Sequence, residues 1–341
     1  MTDTLLNLLQ DPASAEPLHA VDVKRAADGR IESGDLKARS GAAYPVRAGI
    51  PRFVEALPDR VGDVASFGDE WNHFNFVQFR AQWLAHTVRN TFGSVAAFKG
   101  KVIVDAGAGS GAQALWMLES GAEHVILLEL SHAVDDVIQK NLRSSGFTNW
   151  DIVQCSIDAP PLRPRSVDMV ICHNVIQHTP SVERTAHALF ELVAPGGELV
   201  FNCYPKNDQG LVRWLRLHAV YEPLRWVLSR CPFRVNLAYA TTMAGLRLIP
   251  AVGPVLEKAG FCSQGEVLGT NGGKPSLVMR FRATRLNTFD RFGSHTYQHL
   301  KSDAEMRALV AALQPDASRI LNADAYFSRP APIGCALRVF R

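Results

Sequence analysis

The chain has 341 residues, of which 47% are hydrophobic and 20% are charged, and its formal net charge is +3. These values are those of an ordinary globular protein that can bury one large core together with a small additional domain or a lid. No apolar stretch approaches the roughly 18 residues of a membrane span, and so small a net charge does not by itself indicate a nucleic-acid partner. We therefore expect neither a membrane span nor a nucleic-acid partner.

The six cysteines are scattered and include no Cys-x-x-Cys pair, which argues against a zinc ribbon and against a disulfide framework. Cysteines scattered in this way are typical of a reducing cytosol. The sequence Met1-Thr2-Asp3 carries an acid and no basic region, so we expect no secretory signal there. The predicted location is cytoplasmic.

Two units precede the main pattern of strands and helices. Residues 1–57 are predicted to form a small domain, with a helix around Leu5, Leu6 and Leu9 and a short strand between turns at 44–46 and 49–51. Residues 58–100 are predicted to form an aromatic helical cap, because the helical stretch 62–98 is rich in phenylalanine and tryptophan.

From residue 101 the pattern alternates between apolar strands and helices. Strands are predicted at 101–106, 124–129, 150–155, 167–173 and 198–204, with helices at 111–119, 133–142 and 181–193 and a turn at 194–197. Five strands separated by helices indicate a parallel, doubly wound α/β sheet, with residues 101–204 as the core. In residues 301–341, a helix at 302–313 precedes strands at 318–325 and 335–340. These two strands are joined too briefly for a crossover helix, so they should add an antiparallel pair.

Residues 205–300 interrupt this alternation as an insertion after the fifth strand. Between residues 211 and 290 the insertion carries 11 Lys/Arg and 4 Asp/Glu, an excess of seven positive charges. We interpret it as a lid over the substrate, with Arg213 and Arg216 as candidate clamps for an acidic group. The alternative is an amphipathic basic helix at 211–228 that contacts a membrane or nucleic acid.

The turn between the first strand and its helix carries the chemistry. Asp105 ends the strand, Gly107, Gly109 and Gly111 follow, and Glu129 ends the next strand. Glycines let the backbone turn sharply and lie against a ligand, and a helix N-terminus offers free N–H groups to an anion. A carboxylate at the end of the second strand can accept hydrogen bonds from both hydroxyls of a ribose. The same residues also satisfy the dinucleotide-binding fingerprint, and a tight turn without a ligand is a third interpretation.

Further motifs separate these interpretations. Asp105 lies two residues before the first glycine, where dinucleotide folds usually have an apolar residue. The sequence Val175-Ile176-Gln177-His178 follows strand four, and Pro195-Gly196-Gly197 precedes strand five. With these motifs in order, residues 101–204 resemble the class I S-adenosylmethionine-dependent methyltransferases, in the branch of small methyltransferase domains. The resemblance implies a seven-stranded, mostly parallel, Rossmann-like α/β sheet and S-adenosyl-L-methionine as cofactor.

The resemblance also implies roles for individual residues. Asp105 would hold the methionine amine of the cofactor, as would the main chain at Asn174, and Glu129 would bind the ribose hydroxyls. Ser156 stands where the family has an acid that binds the adenine, which implies a weaker or water-mediated bond there, with the backbone of Ile157 beside it. The complete predicted cofactor set is Asp105, Ala106, Gly107, Gly109, Gly111, Glu129, Leu130, Ser156, Ile157, Asn174 and Trp71.

Residues 1–57 resemble the small zinc-ribbon domains that are fused to methyltransferases or act with them. The resemblance is carried by Leu6-x-x-Leu9 and by Tyr44-Pro45-x-x-x-Gly49-Ile50-Pro51. The cysteine pairs of that family are absent, and Asp11-Pro12-Ala13-Ser14 and residues 37–40 stand in their places. We expect a metal-free remnant with a structural role.

Aromatic and histidine side chains supply the remaining candidates. Trp71 is predicted either to close over the sulfonium cation of the cofactor or to pack in the core. His178, at the carboxyl end of strand four, and Tyr297 and His299, in the polar cluster at 294–299, are the candidate catalytic residues. A solvated loop is the other interpretation of this cluster. No acid or cysteine accompanies its histidines, so no metal site is predicted.

These features predict a methyltransferase of specialised metabolism that acts on an O, N or S atom of a small molecule, with an anionic acceptor indicated by the basic lid. Positioning and desolvation would supply most of the rate, because the leaving group is already cationic. Two alternatives remain open. One is attack on another sulfonium carbon, as in intramolecular cyclisation or aminocarboxypropyl transfer. The other is an RNA-directed or non-catalytic protein whose N-terminal unit binds a partner.

Overall fold

The amino-terminal unit is a short helix followed by an antiparallel sheet. The computed structural model describes residues 1–54, 61–206, 210–265, 267–269, 273–293, 295–321 and 336–341, so the predicted boundary at residue 57 lies outside the described residues. The helix begins after Thr2, whose hydroxyl accepts a hydrogen bond from the Leu5 amide. The elements are helix Asp3–Leu8 (α1) and strands His19–Arg25 (β1), Ile31–Lys37 (β2), Ala43–Arg47 (β3) and Ile50–Pro51 (β4), which pair in that order.

This unit shares its hydrophobic core with the rest of the chain. Leu5, Leu9 and Leu36 are fully buried in one cluster with side chains of the α/β core. Asp151, also fully buried, anchors the contact, because it accepts hydrogen bonds from the main chain and hydroxyl of Thr2 and from Arg30 at 3.0 Å. Burial of this kind stabilises the unit against the core.

The next segment is helical and aromatic, as predicted. Its buried Trp83 packs on Phe98 of the same segment and on Trp116 of the core, with ring centroids of Trp83 and Trp116 5.3 Å apart. The segment contains Val61–His73 (α2), a 3-10 turn at Phe76–Phe79, Arg80–Gln82 (α3) continuing as a π-helix at Trp83–Phe92, and a 3-10 turn at Val95–Phe98. It covers one side of the sheet.

The core is the predicted alternation of parallel strands and helices. Its elements are Val102–Ala106 (β5), Ala112–Glu119 (α4), His124–Glu129 (β6), Val137–Arg143 (α5), Trp150–Gln154 (β7), Val167–Cys172 (β8), Val182–Glu191 (α6) and Val193–Phe201 (β9). Every residue of β6 is buried, as expected for a parallel strand covered on both faces. The bounds agree with the prediction to within a few residues except in β9. The predicted turn at 194–197 lies inside that strand, because Val193 already pairs with Val167 and an irregularity in register takes up the Pro-Gly-Gly segment.

The insertion is a group of helices closed at its base by a two-stranded parallel pair. Tyr204–Pro205 (β10) leads into it and Leu300–Lys301 (β11) returns beside β10. Between them lie Leu211–Leu215 (α7) with a π-helical continuation at Arg216–Tyr221, Glu222–Leu228 (α8), Phe233–Arg247 (α9), Gly253–Ala259 (α10) and Leu277–Phe292 (α11). Helix α11 packs along α9, where the rings of Phe233 and Phe289 lie 5.0 Å apart.

The carboxy-terminal segment completes the sheet in the predicted manner. Helix Asp303–Leu313 (α12) begins with a capping box between Ser302 and Glu305. Strands Ala317–Leu321 (β12) and Ala336–Phe340 (β13) pair antiparallel, and β13 pairs antiparallel with β9. The seven-stranded order is β12-β13-β9-β8-β5-β6-β7, so the predicted mostly parallel, doubly wound fold is confirmed. Among the described residues, no helix has the length and apolar character that crossing a membrane requires.

Candidate cofactor and acceptor site

A cavity of about 570 Å³ lies where the carboxyl ends of β5 and β8 meet the helical cap and the insertion. This is the edge of an open α/β sheet at which ligands bind. Five predicted cofactor residues line it, namely Trp71, Asp105, Gly107, Gly109 and Asn174. The opposite wall comes from the insertion and its return segment, including Tyr204, Arg213, Arg216, Leu217, Tyr221, Asn287, Asp290, Arg291, Gln298 and Leu300.

Two glycines of the loop have backbone conformations that other residues rarely adopt. Gly107 has φ +78° and Gly109 has φ +57°. A Cβ at Gly107 would overlap the side chain of Val175, and a Cβ at Gly109 would lie 2.9 Å from Cε2 of Trp71. Both positions therefore require glycine, and the glycine loop lines the cavity as a cradle for a close-lying ligand.

Asp105 supplies a buried carboxylate at the floor of the cavity. Gln113 donates a hydrogen bond to its Oδ1 over 3.0 Å, whereas Oδ2 has no hydrogen-bond partner among the described residues. Burial raises the pKa of Asp105 to about 7, and the hydrogen bond from Gln113 opposes that rise. An uncompensated buried carboxylate is costly, so this oxygen is suited to a cationic donor such as an ammonium group.

Asn174 lines the base of the cavity with Asp105 and has a strained backbone conformation. Its φ is +58°, in the left-handed region that asparagine tolerates better than most residues. Asn202 at the end of β9 holds it there, accepting from the Asn174 amide at 2.7 Å and donating to its side-chain oxygen at 2.6 Å. The sequence does not indicate that Asn202 contacts Asn174, because the two residues meet only when β8 and β9 lie side by side.

Glu129 is buried and lies outside the described residues that line the cavity, and its binding of the ribose hydroxyls stays a prediction. Its oxygens accept hydrogen bonds from the amides of Gly109, at 2.8 Å, and Ser131, at 2.9 Å. Here the carboxylate braces the glycine loop, and Trp71 lies over that loop.

The remaining predicted cofactor residues also lie outside the described cavity lining. They are Ala106, Gly111, Leu130, Ser156 and Ile157. Gly111 has φ +74° and is the N-cap residue of α4. This glycine therefore allows the backbone to turn into the helix and does not need to contact a ligand. The Ser156 hydroxyl donates to the carboxylate of Asp158, so it is engaged within the protein.

The structure does not bring the three candidate catalytic residues to the described cavity wall. His299 is turned towards the core, with Nε2 3.0 Å from the Thr179 carbonyl, and Tyr297 stacks beside it. In this extended segment, Gln298 and Leu300 line the cavity instead. This is the alternation expected of extended chain, in which successive side chains point to opposite sides. His178 is buried, and its Nδ1 lies 3.0 Å from the Tyr297 carbonyl.

A second group of polar residues borders the acceptor side of the cavity, and the sequence analysis did not assemble it. Asp290 of α11 accepts a hydrogen bond of 2.6 Å from the Tyr204 hydroxyl, and both residues line the cavity. Behind them, Nε2 of His295 lies 3.0 Å from Oε2 of Glu70, a fully buried residue of α2. Burial, with the charges of Asp290 and then Glu129, raises the pKa of Glu70 well above its usual range.

Three arginines give the opposite end of the acceptor wall a positive charge. Arg213, Arg216 and Arg291 all line the cavity. Burial lowers the pKa of Arg216, and the charge of Arg291 adds to that effect. Like charges held together at a partly buried surface favour an anionic ligand between them. The predicted clamps Arg213 and Arg216 are therefore at the cavity, joined by Arg291.

Comparison with known proteins gives a consistent assignment of the core. Residues 104–201 match the family described as "Methyltransferase domain". The ubiquinone biosynthesis O-methyltransferase of Azoarcus sp. is 30% identical over 109 residues, which is 32% of this chain and 46% of that protein. The protein of the same name from Erwinia tasmaniensis is 29% identical over 170 residues, which is 50% of this chain and 64% of that protein. The chain thus spans less than two thirds of either curated relative.

Among solved structures, an S-adenosylmethionine-dependent methyltransferase from Mesorhizobium loti is 27% identical to this chain. The match covers 32% of this chain and 49% of that protein, with a TM-score of 0.29.

Proposed function

Because residues 104–201 form a methyltransferase domain of the class I, S-adenosylmethionine-dependent type, we propose that the chain transfers a methyl group from this cofactor to a small, anionic acceptor. One observation carries the proposal. The buried, unpartnered Oδ2 of Asp105 lies at a cavity whose opposite wall is the basic insertion. A cofactor end that carries an ammonium and an acceptor that carries an anion fit these two walls.

The residues at the floor fit the methionine end of the cofactor. Asp105 would accept a hydrogen bond from its ammonium, and the main chain of Asn174 lies beside that position. Gly107 and Gly109 would lie against it, since both glycines line the cavity. Bound S-adenosylmethionine supplies a methyl group on a positively charged leaving group, so this chain has to hold and desolvate the reactants rather than create a strong electrophile.

On the acceptor side, Tyr204 and Asp290 are the proposed positioning pair. Burial, together with the charge of Asp290 and the hydrogen bond to it, raises the pKa of Tyr204 well above its usual range, so the phenol stays protonated. A fixed hydroxyl and carboxylate can orient an acceptor O–H or N–H by hydrogen bonds. His178 lies behind Asp290 and would act on an acceptor only through that carboxylate.

The chemistry of the acceptor follows from the wall and from the relatives. Arg213, Arg216 and Arg291 support a carboxylate or another anion. The curated relatives are named as O-methyltransferases, which supports an oxygen among the O, N and S acceptors. A small molecule of specialised metabolism fits a cavity of about 570 Å³.

Calorimetry and product analysis test the proposal. The purified chain should bind S-adenosylmethionine and its demethylated product, S-adenosylhomocysteine, and should not bind NAD. Mass spectrometry of reactions with anionic phenols should show an added methyl group on the acceptor. Binding of NAD without binding of S-adenosylmethionine would overturn the assignment. A product derived from another sulfonium carbon, or salt-sensitive binding to tRNA, would support one of the alternatives instead.

A further inference from the structure

We propose that Glu70, Asp290 and His295 form a binding site for a divalent transition-metal ion at the acceptor edge of the cavity. The three residues come from α2, from α11 and from the segment that follows α11, so only the fold brings them together. The inference goes beyond methyl transfer, because metal binding can be measured without cofactor or acceptor.

The spacing of the ligand atoms suits one ion. Nε2 of His295 lies 3.0 Å from Oε2 of Glu70 and 3.9 Å from Oδ1 of Asp290, and one ligand atom from each residue falls within 4.8 Å of the others. Ligand atoms about 2.1 Å from a metal ion are about 3.0 Å apart when adjacent and about 4.2 Å apart when opposite. The set therefore needs only small side-chain adjustments to coordinate an ion.

The neighbouring histidine shows that hydrogen-bond acceptors converge here. The Tyr297 carbonyl can only accept, so the Nδ1 of His178 carries the proton of their 3.0 Å contact. In the neutral ring with its proton on Nδ1, Nε2 carries a lone pair. That lone pair lies 3.8 Å from Oδ1 of Asp290.

The lone pair of His178 and the carboxylate of Asp290 repel each other unless a cation or a proton lies between them. Nε2 of His178 and Oε1 of Glu70 are buried and make no hydrogen bond to any part of the chain that the structure describes, while Oε2 of Glu70 contacts Nε2 of His295. The neighbouring Arg225 donates to the main-chain carbonyls of Gly293 and His295, so these hydrogen bonds go to neutral groups. A metal ion would compensate the two carboxylates together.

The surrounding contacts orient the ligands as in protein metal sites. The Tyr204 hydroxyl donates to Oδ2 of Asp290, which leaves Oδ1 for the ion. Ser66 Oγ lies 3.3 Å from Nδ1 of His295, and Phe67 stacks on that ring at 4.2 Å. If Nδ1 donates to Ser66, Nε2 is left as a metal ligand, and such outer contacts are typical of metal-binding histidines.

The donor set selects a class of ion. Imidazole and carboxylate together favour Mn²⁺, Fe²⁺ or Zn²⁺ over Mg²⁺ or Ca²⁺, which prefer oxygen alone. Asp290 also lines the cavity, so the ion would lie beside the acceptor and could bind its oxygen. This consequence, unlike metal binding itself, rests on the proposed function.

The test is titration of the chelator-treated full chain with MnCl₂ by calorimetry, together with electron spin echo spectroscopy of the bound ion. We expect one Mn²⁺ per chain and a ¹⁴N coupling from imidazole. Glu70→Gln and His295→Gln should each weaken binding at least tenfold. The matched control is His218→Gln, which removes a half-buried histidine paired with Glu222 and should keep the affinity of the unmodified chain.

Several outcomes would overturn the metal site. They are no binding of Mn²⁺ or Zn²⁺, unchanged affinity in both Glu70→Gln and His295→Gln, and bound Mn²⁺ without nitrogen coupling. Any of them would favour a proton shared between Glu70 and Asp290. The spectroscopy needs no variant, so a variant that fails to fold does not remove the test. S-adenosylhomocysteine binding to the metal-free chain is measured in parallel, so loss of the metal site and loss of the proposed function give different results.

Discussion

Lowering the pH from about 7.5 to about 6.0 should weaken S-adenosylhomocysteine binding roughly eightfold, because Asp105 gains a proton over this range. Burial raises the pKa of Asp105 to about 7 against the hydrogen bond from Gln113. With that pKa, the carboxyl is ionised in about 76% of molecules at the higher pH and about 9% at the lower. Only the ionised form attracts the ligand's ammonium, so affinity falls as the pH falls, by about 1.2 kcal/mol.

Substitution of Asp105 by Asn gives a second, independent magnitude. The variant keeps the shape of the side chain but cannot ionise, so it loses a charge-assisted hydrogen bond worth about 1.5–3 kcal/mol. Its affinity should be roughly 10 to 150 times lower at about pH 7.5, with no remaining dependence on pH over this range. Asp28→Asn, an exposed acid in the N-terminal unit, is the control that should leave both quantities unchanged.

Calorimetry in two buffers of different ionisation enthalpy measures both affinity and protons released. At about pH 6.0, binding to the unmodified chain should release close to one proton, and the Asp105→Asn variant should release none. The reasoning is refuted if affinity is constant across the range. It is also refuted if Asp105→Asn keeps the full pH dependence, since burial also raises the pKa of Glu129, which would then be the titrating group.

Three further substitutions test the loop, the N-terminal anchor and the acceptor wall. Gly107→Ala should abolish cofactor binding in calorimetry, because its Cβ overlaps Val175, and retained affinity would contradict the cradle. Asp151→Ala should lower the free energy of unfolding by about 3–5 kcal/mol in urea titrations, because it leaves buried donors unpaired; a loss below about 1 kcal/mol would show that the anchor contributes little. Tyr204→Phe should lower turnover while cofactor affinity stays within about threefold, whereas the control Tyr239→Phe, whose hydroxyl bonds a main-chain carbonyl in the insertion, should keep both. Full turnover in Tyr204→Phe would place the acceptor elsewhere.

The sequence by itself determined the architecture and the floor of the site. Apolar runs of five or six residues followed by helices fix a parallel sheet, because such strands must be covered on both faces. The brief link before residues 336–340 fixes the antiparallel closure, which the register of β13 on β9 confirms. Gly107 and Asp105 could be placed at the cavity from sequence, because a strand–loop–helix unit is local and its geometry depends on neighbouring residues.

Only the tertiary structure decided how distant side chains meet. Glu70 and His295 are separated by more than 200 positions and lie together because α2 and the segment after α11 pack against the same sheet edge. The sequence places no acid beside His295, whereas the fold brings two. In the same way, the extended chain at 297–300 turns His299 inward and Gln298 to the cavity. The sequence of this non-periodic loop does not specify which side chains face the cavity, and the packing of the loop decides it. Glu129 likewise closes on the glycine loop, because the backbone amides of Gly109 and Ser131 lie within hydrogen-bond reach of its carboxylate once β5 and β6 are side by side.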